Sequence, residues 1–249
     1  MELMDVVRFQ VGLLGLGADS DRDFNRGGVL LGSTQEDSFY LNAFYPLQRD
    51  FRYEVALLER LRAHYAGIGR DGYLVRYCPA GTPDHDCAVI HVPADACAGA
   101  IEAGGQRFAC VETDDAALWC RTYVAGSPWM ALERFERSTA RLLAAHELRM
   151  YLFTVDGLAV GAGGLVAMGR NAWLANGYSV AKQYRGDVLG RARLVRMSTT
   201  GDVAALTSFR FARVLARAMP SVSILGRIGY HRLATAVPEA EEVGDGEMT

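Results

Sequence analysis

The chain is short of several things that would place it quickly. It has one lysine, Lys182, among 249 residues, no block of basic side chains and a formal net charge of −3, which argues against a sequence-independent grip on nucleic acid backbones. Its cysteines, Cys78, Cys87, Cys97, Cys110 and Cys120, are odd in number and never spaced as C-x-x-C, so no disulfide framework is expected. In "HDCAVIH" His85, Cys87 and His91 lie close together with Cys78 and Cys97 flanking, but the spacings match no zinc pattern. Buried apolar cysteines and no metal are the expectation. The N-terminus "MELMDVVRFQ" has no basic segment leading into an apolar one, and "VGLLGLG" is too short to span a bilayer. The expected location is the cytoplasm, away from membranes.

What is present is a globular composition, 50% apolar, in a chain long enough to bury a full core. Residues 128–147, "PWMALERFERSTARLLAAHE", place Met130, Phe135, Leu142, Leu143 and His146 near one another on a helical face. The next stretch reads as three antiparallel strands, Arg149 to Val155, Leu158 to Met168 and Ala172 to Ala181, turning at Asp156-Gly157 and at Gly169 to Asn171. A helix is expected near Leu189 to Met197, then a strand "FRFARVLA", a short helix "SVSILGRIG" and a strand from Tyr230 to Val237. Upstream, residues 53–80 read as an amphipathic helix and a strand. Residues 95–124 read as a helix closing on Gly104-Gly105, then a hairpin. The end, "PEAEEVGDGEMT", is acidic with almost nothing to pack and is expected to be disordered.

Three pieces, in order, resemble the GNAT (N-acetyltransferase) superfamily: "VDGLAVGAGGLV" its substrate-side hairpin, "GYSVAKQYRGDVLGRARLV" its acyl-CoA loop and helix, "LGRIGYHRL" its closing helix-to-strand turn. The resemblance covers roughly Trp129 to Pro238. It implies an α/β (α+β) fold, a mixed sheet flanked by helices. The first half looks like a weaker copy, which suggests a tandem protein with halves 1–125 and 126–238 and an acidic tail 239–249.

By that resemblance the function is transfer of an acyl group from acetyl-CoA, another acyl-CoA or a thioester on an acyl carrier protein to a small-molecule amine. The family's pyrophosphate turn is Arg/Gln-x-x-Gly-x-Gly/Ala, with small residues where backbone N–H groups approach the phosphate. Read from Arg185, the turn is Arg185-Gly186-Asp187-Val188-Leu189-Gly190, with Val188 in place of a glycine. Read from Gln183, Gly186 fits and Val188 fills the last place. Asp187 can cap the helix N-terminus and repels phosphate, while Arg185 and Arg191 supply positive charge. The resemblance also puts Ser179 and Val180 along the donor's carbonyl and pantetheine arm. Alternation from Trp173 points Tyr178 to the cleft as a catalytic candidate. His146 is a candidate base by its near-neutral pKa, or a core histidine. The family's usual tyrosine acid is replaced by Leu225. Two other readings are a catalytically silent binding or assembly module and a different reaction on the same scaffold.

Overall fold

The computed structural model describes residues 1–16, 20–24, 27–77, 81–94, 102–103, 106–127, 130–170, 172–185 and 201–233. Within them the chain runs α1 (Leu3–Gly15), β1 (Ser20–Phe24), β2 (Gly28–Gly32), β3 (Ala43–Pro46), α2 (Val55–Gly67), β4 (Tyr73–Tyr77), β5 (His85–Val92), β6 (Glu102–Ala103), β7 (Gln106–Thr113), α3 (Ala116–Ala125) and α4 (Leu132–Ala145). It continues with β8 (Leu148–Val155), β9 (Leu158–Ala167), β10 (Ala172–Val180), β11 (Asp202–Ser208), α5 (Phe209–Ala218) and β12 (Ser223–Arg232).

All twelve strands form one mixed sheet in the order β1-β2-β3-β4-β12-β5-β11-β10-β9-β8-β7-β6. Only β3–β4 and β10–β11 run parallel among the described pairs; the rest are antiparallel. The two ends of the chain interleave. β5 lies between β11 and β12, and β12 in turn bonds β4.

Alternation along the strands builds a core on each face. On one face Cys87, Val89, Leu174 and Tyr230 pack beneath Leu3, Val6, Val7 and Val11 of α1. Met150 and Leu152 meet Trp119, Cys120 and Tyr123 of α3 on the same side, with Phe135 of α4 packed against them. The intervening residues face the other way, Ala88 and Ile90 under Ala212 and Leu215 of α5, Leu30 and Leu74 under Leu57 and Leu61 of α2. The β8–β9 hairpin turns at Asp156 and Gly157, whose φ angles are 49° and 85°. A two-residue hairpin needs this left-handed pair.

The α4 helix and the three strands that follow match the sequence expectation; Leu143, however, is exposed at 40%. Three expectations are corrected. "FRFARVLA" forms α5, because Ser208 caps it by accepting the Phe211 N–H at 3.3 Å and because Ala212 and Leu215 are buried three apart while Arg210, Arg213 and Arg217 face out. "SILGRIGYHR" is one continuous strand between β4 and β5, so Leu225 and the "LGRIGYHRL" turn lie on a strand and not in a closing helix. Glu102–Ala103 pairs with Gln106–Arg107, and the expected hairpin beyond it is β7 followed by α3. The expected helix near Leu189 to Met197, the Gly104-Gly105 turn and the acidic tail lie outside the described residues.

Candidate functional site at the splay of β10 and β11

Parallel strands β10 and β11 pair only from Ala172–Asp202 to Leu174–Ala204. Beyond Leu174 the two part: β10 keeps its ladder with β9 but bulges between Ala175 and Tyr178, and β11 continues against β5. Gly177 takes a φ of 66° at the bulge, a conformation that a residue with a Cβ adopts at a cost. A Cβ there would also lie 2.7 Å from the hydroxyl of Tyr123.

The splay opens into a cavity of about 480 Å³, toward the small end of the roughly 300–1,000 Å³ typical of ligand sites. From the strands it is lined by Asn176, Tyr178, Thr207 and Ser208; from α3 and α4 by Tyr123, Arg134, Phe135 and Leu142. The end of α1 adds Leu13 and Leu14, and the segment after β2 adds Glu36, Ser38 and Tyr40. That segment is organised by buried Asn42, whose Oδ1 accepts the Ser33 N–H at 2.9 Å and whose Nδ2 donates to the carbonyls of Glu36 at 2.7 Å and Ser38 at 3.1 Å. Glu36 thereby reaches Arg134, Oε1 to Nε 3.0 Å, and the same guanidinium donates to Ser33 Oγ at 3.3 Å.

Two phenols of the cavity, Tyr123 and Tyr40, hold their protons. Burial, reinforced by Tyr178, pushes the pKa of Tyr123 up to about 12. Burial first, then neighbouring Cys87, raises that of Tyr40, whose hydroxyl lies 3.8 Å from Cys87 Sγ. Burial raises the Cys87 thiol as well, which leaves it a poor nucleophile.

Of the residues singled out from sequence, Tyr178 lines this cavity. Ser179 is buried and accepts the hydroxyl hydrogen of Ser127 at 2.8 Å. Val180 ends the strand, and its carbonyl accepts Arg185 Nε at 2.9 Å while Arg185 Nη2 donates to the Gly126 carbonyl at 2.7 Å. Arg185 therefore ties β10 to the end of α3. Gly126 has to be a glycine there, because a Cβ would lie 2.3 Å from Ser179 Oγ and 2.7 Å from the Val180 backbone. Gly186, Asp187, Val188, Leu189, Gly190 and Arg191 lie outside the described residues. His146 follows α4 with its ring edge-on to Phe9 at 5.7 Å and is not part of the cavity lining. His85 stacks on Phe39 and His91 pairs with Asp202 at 3.1 Å. Among the described residues no three metal-ligating side chains group together.

Tyr40, Tyr123, Glu36 and Arg134 were not legible as site residues. Tyr123 falls in the stretch expected to be a hairpin and found as α3, and the Glu36–Arg134 pair joins segments far apart in the chain.

The other parallel pair, β3–β4, is shorter still, Ala43–Tyr73 and Phe44–Leu74. There Tyr77 donates its hydroxyl across the gap to the Pro46 carbonyl at 2.7 Å, and Tyr53 donates to the Val75 carbonyl at 2.6 Å. Tyrosine side chains fill and bridge the first splay, while the second is open to the cavity.

The fold is that of the GCN5-related N-acetyltransferases. The chain superposes on one from Kribbella flavida with a TM-score of 0.55 at 13% identity, covering 93% of this chain and 96% of that one. It superposes on another from Sphaerobacter thermophilus with a TM-score of 0.54 at 14% identity, over 85% and 81%. A conserved protein of unknown function from Staphylococcus epidermidis gives 0.55 at 10% identity, over 85% and 92%. No protein-family model matches the chain, and no curated protein matches it.

Proposed function

We propose that the protein is an acyltransferase that moves an acyl group from acetyl-CoA, another acyl-CoA or a carrier-bound thioester to the amine of a small molecule held in the β10–β11 cavity. The observation that carries this reading is the open splay with its bulged strand. A thioester laid along β10 would present its carbonyl to backbone N–H groups freed from the ladder at the bulge, which polarise it where negative charge develops. The neutral amine attacks that carbon, the C–S bond breaks, the departing thiolate takes up a proton from an acid of the site, and the attacking nitrogen gives up its surplus proton to solvent, from which the acid is reprotonated. Tyr178 is the candidate proton donor. Tyr123, with a pKa pushed up to about 12, is suited to hold a hydrogen bond to the thiolate without losing its own proton. His146 has no part in this reading. Ser179 and Val180 would flank the pantetheine arm, and the turn from Arg185 to Arg191 would receive the phosphates. The two parallel splays support the tandem organisation, with the bridged first splay as scaffold.

A second reading is a catalytically silent binding module on the same fold. It is favoured by Arg185, whose guanidinium is engaged by two backbone carbonyls where a phosphate ligand would be wanted.

Calorimetric titration with acetyl-CoA and free CoA separates the two. The acyltransferase reading expects binding by the parent chain, tightened by Asp187→Asn through relief of charge repulsion. No heat from the parent but measurable binding after Asp187→Asn with Val188→Gly would mark a closed turn and a carrier-bound donor or silent module. No binding by any variant would sink the phosphate-turn reading.

A further inference from the structure

Resting on the acyltransferase reading, we infer that the acceptor is a compact amine with an apolar body and no second charge, an arylalkyl or branched alkyl amine. Among the described residues that line the cavity, Glu36 and Arg134 are the charged ones, and they neutralise each other at 3.0 Å with their side chains 26% and 21% exposed. A ligand carboxylate would have to displace Glu36 from Arg134. A polycation would find one carboxylate, already paired. Either would bring charge into a largely apolar chamber without a compensating partner, which is costly.

The strands of the splay supply the Asn176 amide and the hydroxyls of Tyr178, Thr207 and Ser208 beside Leu174, Ala175 and Leu206, whereas α1 and α4 supply Leu13, Leu14, Phe135 and Leu142 beside Gln10, Ser138 and Thr139. Uncharged hydrogen-bonding groups are thus at hand where the amine must meet the thioester, and leucine and aromatic side chains are at hand for what the amine is attached to. The rings of Tyr123 and Phe135 stack at 4.5 Å on that wall, a surface suited to a flat apolar group.

Ligand-observed NMR on the full-length protein, with and without CoA, tests this with phenethylamine, isopentylamine, ethanolamine, spermidine and phenylalanine. The first two are expected to bind at least about tenfold more tightly than the others, as burial of a few methylene equivalents would give. Ser138→Trp, which fills the chamber from α4, should abolish that preference while thermal melting reports an intact fold. Glu36→Gln leaves Arg134 without its carboxylate and should narrow the gap between phenylalanine and phenethylamine. The inference is overturned if spermidine, ethanolamine or phenylalanine binds as well as the apolar amines, if none binds, or if folded Ser138→Trp binds them unchanged. It is also overturned if affinity follows the acyl chain length of the CoA thioester and no amine competes, since the chamber would then house the acyl group. Selective amine binding with no CoA binding would sink the CoA-dependent reading and leave the chamber's selectivity standing.

Discussion

The hydroxyl of Tyr123 sits directly over Gly177, so close that a Cβ at that position would lie 2.7 Å from it. The contact joins α3 to the bulge that opens β10, and it makes the bulge a property of two elements and not of one strand. Gly177→Ala should therefore destabilise the protein by roughly 2–4 kcal/mol, combining the cost of a left-handed non-glycine residue with the clash. In the Tyr123→Phe background the clash is removed and the φ strain remains. The penalty of Gly177→Ala should fall by about 1 kcal/mol or more in a double-mutant cycle read by denaturant melts. An unchanged penalty would show that the hydroxyl does not set the bulge.

Arg185 offers a second test of what the site is made of. Its two hydrogen bonds, to Val180 and to Gly126, predict that Arg185→Ala lowers stability in the absence of any ligand, by about 1.5–3 kcal/mol, the range for bonds from charged groups. Arg185→Lys should recover little, because an ammonium on a flexible stem does not hold the fork geometry that meets two carbonyls at once. If ligand-free melting is unaffected while CoA affinity collapses, Arg185 is a phosphate ligand and not a brace.

Burial raises the pKa of Tyr45, Tyr53, Tyr65, Tyr77 and Tyr230 as well as Tyr40 and Tyr123. A phenol whose folded pKa exceeds its unfolded value adds stability that is complete below about pH 10 and is lost as pH rises toward the folded value. For Tyr123, raised from 10.0 to about 12, the loss across that window is roughly 2–3 kcal/mol. Unfolding above pH 10 should thus be steep, and most of the tyrosinate absorbance should appear together with loss of circular dichroism. Gradual ionisation of these tyrosines in a protein that stays folded would contradict the buried placement.

Much of this architecture was legible where local chemistry is decisive. Asp156-Gly157 marks a hairpin because its two residues tolerate positive φ, and Phe135 and Leu142 mark the packed face of α4, to which the structure adds Thr139. The order after β10 was misread where short apolar runs meet. "DVAALTS" is a strand whose buried residues are the small Val203, Ala204 and Ala205, and "FRFARVLA" alternates closely enough to pass for a strand until Ser208 is recognised as its cap. The cavity was half visible: alternation pointed Tyr178 inward, but Tyr40 and the Glu36–Arg134 pair are brought to it by long-range packing that no local spacing records.

The two proposed halves should not fold apart. The second, 126–238, would contain β8 to β12, but in the sheet β11 and β12 do not touch; β5, from the first half, bonds both, Val203–Val92 through Ser208–Cys87 on one side and Ser223–His91 through Tyr230–His85 on the other. A protein beginning at Trp129 would lose the strand at the centre of that unit and also β7, which pairs Phe108–Val155 through Thr113–Met150 with β8. It would expose the ladder groups of three strands and the apolar faces that Val89 and Ile90 cover, and such edges and patches drive aggregation. The truncated chain is expected to be insoluble or to lack a cooperative melt. Mixing it during refolding with a chain of residues 1–128 should restore a complex that melts as one unit, because the missing strands return to their places in the shared sheet. A monomeric, cooperatively melting protein from Trp129 onward, at the full-length temperature, would show that β5 is not required between β11 and β12.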